Sequence, residues 1–192
     1  MSGAFLLHLL RHGAPELTGR MLGRTDSPVT AGGLAACVAR VKSLDFKQIV
    51  CSDLMRSQAV ADAIGRERGL APTIDTRWRE LDFGDWDGLA AAEIDAMALR
   101  RFWDDPDGAP PPRGERWSDL VARTTDAIED LTPVTSLIVT HGGAMRAALK
   151  SLCGFGLREL WAFDLPYAAL ITLRIWPDRT AQIVGLHTDP VS

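Results

Sequence analysis

Cysteine is scarce in this 192-residue chain: Cys37, Cys51 and Cys153 stand far apart, and none belongs to a CxxC pair. That scarcity argues against redox or thiolate-metal roles and leaves buried, reduced thiols in a cytoplasmic protein as the reading. A basic leader is also missing. The first apolar stretch is short and stops at Arg11 and His12, so neither a signal peptide nor a transmembrane helix is expected. Charge of one sign is missing too. The formal net charge is −4, which gives no support to nucleic-acid or other general polyanion binding, nor to a membrane-surface role. An anionic ligand would have to be drawn in by a local cluster of arginines. Histidines at HxH or HExxH spacing are absent, so no metal and no cofactor is expected. No internal repeat or low-complexity tract occurs.

What is present is an ordinary globular composition, 46% hydrophobic and 24% charged, enough for one domain with a substantial core. Residues 4–10 read as a buried strand. Thr30 is a candidate N-cap for a helix carrying Leu34, Val38 and Val41. Residues 48–51 form the next strand, and Ser52-Asp53 can cap a helix that Gly69 ends. Thr73-Ile74 is extended, and residues 77–88 are irregular. Residues 90–113 read as a short helix plus a small excursion near the active site, because the prolines and glycines of 104–114 exclude regular structure. A helix through Trp117, Leu120, Thr124 and Ile128 follows. A strand at 136–140, a helix at about 143–153 and strands near 168–175 and 181–187 complete the chain. Alternating strands and helices imply an α/β fold, a three-layer α/β/α arrangement around a mostly parallel sheet. Trp161 and Phe163, in the short 157–164 segment, read as core.

In such sheets ligands gather beyond the carboxyl ends of the strands. Arg11-His12-Gly13, Ser52 to Arg56, and His141-Gly142-Gly143 each follow a strand, so three distant stretches converge on one rim. A neutral imidazole at His12, with one ring nitrogen held by a carbonyl, can attack phosphorus. Arg11, Arg56 and a donating His141 can neutralise the phosphoryl oxygens, and amides at Gly142 and Gly143 can add to them. A carboxylic acid is then needed for the leaving oxygen. Glu80 is the candidate, with Asp82, Asp85 and Asp87 as rivals that physical reasoning does not separate. His8 and His187 read as structural histidines.

Four stretches taken together resemble the histidine phosphatase superfamily, which includes the cofactor-dependent phosphoglycerate mutases. They are Leu10-Arg11-His12-Gly13, Ser52-Asp53-Leu54-Met55-Arg56-Ser57-Gln58, the run from Arg79 to Gly88, and Val139-Thr140-His141-Gly142-Gly143. The resemblance implies a phosphorylated His12, a proton-relaying Glu80, and a phosphate pocket of Arg11, Arg56 and His141 without metal. Within the superfamily the chain is similar to alpha-ribazole phosphatases of cobalamin synthesis, on the stretch Gly19 to Thr30, the run Phe83 to Trp86, and Gly114-Glu115. That implies a small phosphomonoester substrate, alpha-ribazole 5′-phosphate, while the residues expected to set selectivity are those of 90–113 together with Arg20 or Arg24. A phosphoglycerate mutase and a catalytically silent phospholigand-binding protein are the alternatives, and a homodimer is left open. The resemblance has one gap. Many members place an asparagine soon after the first motif, whereas Ala14-Pro15-Glu16-Leu17-Thr18 stands here.

Overall fold

Strand β1 (Phe5–Arg11) is buried at all but its second and last positions, and β4 (Ser136–Thr140) at every one. Strands with no exposed face belong at the centre of a sheet covered on both sides. The computed structural model, which describes residues 3–188, pairs these two in parallel, with Leu9 opposite Ile138. The remaining strands are β2 (Gln48–Cys51), β3 (Thr73–Ile74), β5 (Leu170–Ile175) and β6 (Ala181–His187). The sheet order is β3-β2-β4-β1-β5-β6. The first four are mutually parallel, while β5 runs against both β1 and β6.

Helices α1 (Ala31–Arg40) and α2 (Met55–Arg68) cover one face, and α4 (Trp117–Glu129) and α5 (Gly142–Cys153) cover the other. Strand residues alternate between the two. Leu7, Leu9 and Ile138 pack with Ile128 of α4 and Leu149 of α5, whereas Leu10, Leu137 and Val139 pack with Cys37 and Ile64. Each fully buried aliphatic side chain contributes about 1.5–3 kcal/mol. Burial pushes the Cys37 and Cys51 thiols up to about 12, which makes them inert, and Cys153 is half-buried. A third apolar cluster sets Leu81, Phe83, Trp86 and Phe102 against Leu120 and Ala147. It moors the irregular 77–88 stretch and α3 (Ala96–Asp104) to α4 and α5. A last short helix, α6 (Leu157–Trp161), precedes β5. Among the described residues no helix is long and apolar enough to cross a membrane.

Thr30 caps α1 by accepting from Gly33 N (3.1 Å), and Gly69 ends α2 with φ +66°. The start of α2 differs from expectation. Its first residue is Met55, and neither Ser52 nor Asp53 caps it, because both side chains are committed elsewhere. The Met55 amide instead donates to Asp26 Oδ1 (2.8 Å), so a distant loop supplies the cap. The reversal of β5 matters for the site. It brings the entry of that strand, rather than its exit, to the carboxyl end of β1. There Arg11 N donates to Ala169 O (2.9 Å) and Ala168 N donates to His12 O (3.2 Å).

Candidate active site

Parallel pairing of β1 and β4 sets the residues after each strand side by side. The His12 and His141 rings lie 5.0 Å apart, centre to centre, and both are buried. The ring nitrogen Nδ1 of His12 sits 2.7 Å from Gly13 O. A carbonyl only accepts, so Nδ1 carries the proton and the lone pair lies on Nε2. Burial pushes His12 well below the usual imidazole value, and the Arg56 and Arg11 guanidiniums push the same way. His141 is lowered for the same reasons, burial first and then His12 and the two arginines. Its Nε2 pairs with Ser52 Oγ at 2.7 Å, while Nδ1 is buried without a partner. Two neutral imidazoles therefore occupy the rim. The link to His141 explains why Ser52 is not a helix cap.

Arginines surround them. Arg56, wholly buried in the first turn of α2, donates through Nη2 to Leu22 O (2.7 Å) and Gly23 O (3.2 Å), and through Nη1 to Thr25 O (3.0 Å). Burial lowers its pKa, and the Glu80 carboxylate is the main opposing influence. Arg11 donates through Nη1 to Leu165 O (2.5 Å), and its Cζ stands 4.3 Å from the centre of the Tyr167 ring. The Nε atoms of Arg11, Arg56 and Arg146 are all buried without a partner; no other arginine Nε among the described residues is in that state.

The four rival carboxylates separate cleanly. Asp82 pairs with Arg24 (3.0 Å), Asp85 pairs with Arg113, and Asp87 accepts from the Thr25 amide (2.8 Å). Glu80 alone of the four lines the cavity with His12. Its Oε1 accepts from Leu81 N (2.9 Å) and its Oε2 from Gly143 N (3.1 Å). The Gly143 amide, expected to face a ligand, is thus spent on this carboxylate. A Cβ at position 143 would overlap Glu80 Oε1, so a larger residue there would push the carboxylate aside.

The cavity measures about 220 Å³. Arg11, His12, Glu80 and Gly142 line its inner end, at the strand termini, while the fully buried Arg56 and His141 are not part of its wall. Met21, Phe102, Trp103, Trp117 and Trp161 form its outer wall. Trp161 is therefore not core. It is 44% exposed and meets the 41%-exposed Trp103 edge to face at 5.0 Å. Phe163 packs against the core from a half-buried position. Arg24, engaged by Asp82, is not part of the cavity wall, whereas Arg20 is. His8 pairs with Thr172 Oγ1 (2.9 Å) on the sheet, and His187 is exposed on β6.

Two wall residues escaped sequence reading. Tyr167 is the chain's single tyrosine and has no local pattern around it. Arg146 had a signal: it lies four residues after Gly142, one helical turn on, and so shares the face of α5 that opens the site.

A family model described as histidine phosphatase superfamily (branch 1) matches residues 7–187. A glucosyl-3-phosphoglycerate phosphatase from Mycobacterium tuberculosis is 35% identical over 170 residues, covering 76% of this chain and 75% of that protein. The solved structure of Bacillus stearothermophilus YhfR superposes with a TM-score of 0.86 at 27% identity, covering 98% of both chains. That of the alpha-ribazole phosphatase from Shigella flexneri gives 0.85 at 24% identity, again over 98% of both, which is likeness of fold.

Proposed function

This chain belongs to the histidine phosphatase superfamily, and from that premise we propose that it hydrolyses a small phosphomonoester through a phosphohistidine on His12, without a metal. The observation that carries the reading is the His12 ring itself. Its Nδ1 proton is fixed on the Gly13 carbonyl, so a neutral Nε2 lone pair is held at the floor of a cavity shared with Glu80. In the first step Nε2 attacks phosphorus, the bond from phosphorus to the leaving oxygen breaks, and protonated Glu80 gives its proton to that oxygen. Arg11, Arg56 and His141 balance the charge on the other three oxygens. With Ser52 donating to its Nε2, His141 carries its proton on Nδ1 and offers it to a phosphoryl oxygen. In the second step the Glu80 carboxylate takes a proton from water, the water oxygen attacks phosphorus, and the P–N bond breaks. Inorganic phosphate leaves, and both His12 and Glu80 are restored.

The substrate is proposed at the level of a phosphorylated metabolite. Alpha-ribazole 5′-phosphate follows from the sequence resemblance, and glucosyl-3-phosphoglycerate from the name of the mycobacterial relative. The test is rapid acid-free quenching with a ³²P-labelled ester, alongside phosphate release from both candidates in the presence and absence of EDTA. Acid-labile label on His12 with EDTA-insensitive release is the expected result. Label that never accumulates, with no release of phosphate, would return the chain to a silent phospholigand-binding role. Interconversion of 2- and 3-phosphoglycerate in place of release would make it a mutase.

A further inference from the structure

We propose that Arg146 determines specificity by binding a carboxylate on the leaving alcohol, so that the substrates are phosphomonoesters bearing a second, acidic group. The proposal rests on the phosphatase reading, because the inner end of the cavity must take the transferred phosphoryl group. Of the three arginines with a buried, unpartnered Nε, two bear on that inner end: Arg11 lines it, and the guanidiniums of Arg56 and Arg11 both act on the His12 ring. Arg146 is the third, and its surroundings differ. It lies half-buried on α5 with its Cζ 4.5 Å from the centre of the Trp161 ring, on the outer wall.

Its contacts do not account for its charge. Nη2 donates to Phe163 O (3.1 Å) and Nη1 reaches Gly142 O only at 3.3 Å, both neutral carbonyls. Among the described residues no carboxylate lies within ion-pair distance of it, whereas Arg20 and Arg24, the two arginines of the 20–24 stretch, are paired with Glu93 and Asp82. Burial and the nearby Arg11 push the Arg146 guanidinium down, with Glu80 and Asp164 pulling the other way. A cation also gains nothing from the amino-terminal half of a helix. A desolvated, incompletely bonded cation facing a cavity is a cost unless a ligand completes it. The planar fork of Arg146 suits a carboxylate, and one unpaired cation balances one negative charge rather than a second phosphate dianion. A Cβ on Gly142 would stand 3.4 Å from Arg146 Nη1 and 3.6 Å from Arg11 Cζ. The two guanidiniums therefore straddle one glycine, close enough for a single small molecule to touch both.

The test uses two esters of nearly one shape, 4-carboxyphenyl phosphate and 4-carbamoylphenyl phosphate, which differ in one negative charge and in an NH2 donor replacing one carboxylate oxygen. Their dissociation constants are measured by calorimetry on the His12→Ala chain, which cannot turn them over. The acid is expected to bind at least about tenfold tighter than the amide. Adding Arg146→Met should bring the two within about twofold, and Arg146→Lys should restore part of the preference. Equal affinities in the His12→Ala chain, or a preference that survives Arg146→Met, would overturn the assignment. A loss of affinity for both esters by the same factor would do so as well, by placing Arg146 with the transferred phosphoryl group. Phosphate release by the unaltered chain is read separately. Selective binding without release upholds the subsite and sinks only the phosphatase reading.

Discussion

The two ends of the cavity are built on different principles. The inner end is made by strand termini: His12 follows β1, His141 follows β4, and Arg56 opens the helix after β2. Backbone pairing sets their spacing before any side chain is chosen, so the geometry is inherited from the sheet. The outer wall is made by α3, α6 and the entry to β5, with α3 and α6 meeting through the Trp103–Trp161 pair. On the proposed reading, chemistry sits at buried strand ends and recognition on exposed aromatic contacts.

The sharpest break in that contrast is His12→Ala. Phosphate release should fall by roughly a thousandfold or more for every ester tested, since the missing group serves all of them. A variant that still hydrolyses one ester at full rate would remove His12 from the inner end. Next in size is Gly143→Ala, whose added methyl forces the Glu80 carboxylate aside. A displacement of that order should lower kcat by about a hundredfold with little change in circular dichroism. Retained activity would mean that Glu80 does not relay the proton.

Acid stability distinguishes the ends without any substrate. Below pH 6.5 the unfolded chain protonates His12 and His141, while the folded chain, in which both are lowered, does not. The unfolded state then binds more protons, so stability falls as pH falls. Each imidazole contributes up to about 1.4 kcal/mol per pH unit until its folded-state value is passed. Urea midpoints between pH 7 and 5 should show this slope, and His12→Gln should flatten it. An unaltered slope would contradict the buried, neutral ring. The smallest effect belongs to the outer wall. Trp103→Ala should raise KM for aryl esters by up to about tenfold and change kcat less, as the loss of one aromatic contact implies. An equal fall in kcat would show that the wall shapes the chemistry after all.

The same contrast explains what could be read from the sequence. Strand ends announce themselves, because an apolar run followed by Arg11-His12-Gly13 or His141-Gly142-Gly143 has a defined place in an α/β sheet. The choice of Glu80 needed family resemblance, since Asp82, Asp85 and Asp87 are equally acidic. Only the folded chain shows those three tied down by Arg24, Arg113 and the Thr25 amide. Ser52 was misread as a cap because local propensity has no knowledge of His141, 89 residues away. Trp161 was misread as core because a tryptophan in a short apolar segment is usually buried, and here Trp103 and Arg146 draw it to the cavity mouth.

The reversed β5 has a further consequence. Because that strand enters at the rim, the linker between α5 and β5 passes the cavity, placing Trp161 and Tyr167 in its wall and the Leu165 carbonyl on Arg11. The linker lies outside the strands, held by Leu160 and Leu165 in the core. Its exposed positions, Trp161 among them, can therefore change while the buried Leu160 and Leu165 and the bonds of Ala168 and Ala169 to the end of β1 hold the rim in place. A lineage built on this plan can change its diet while keeping its teeth.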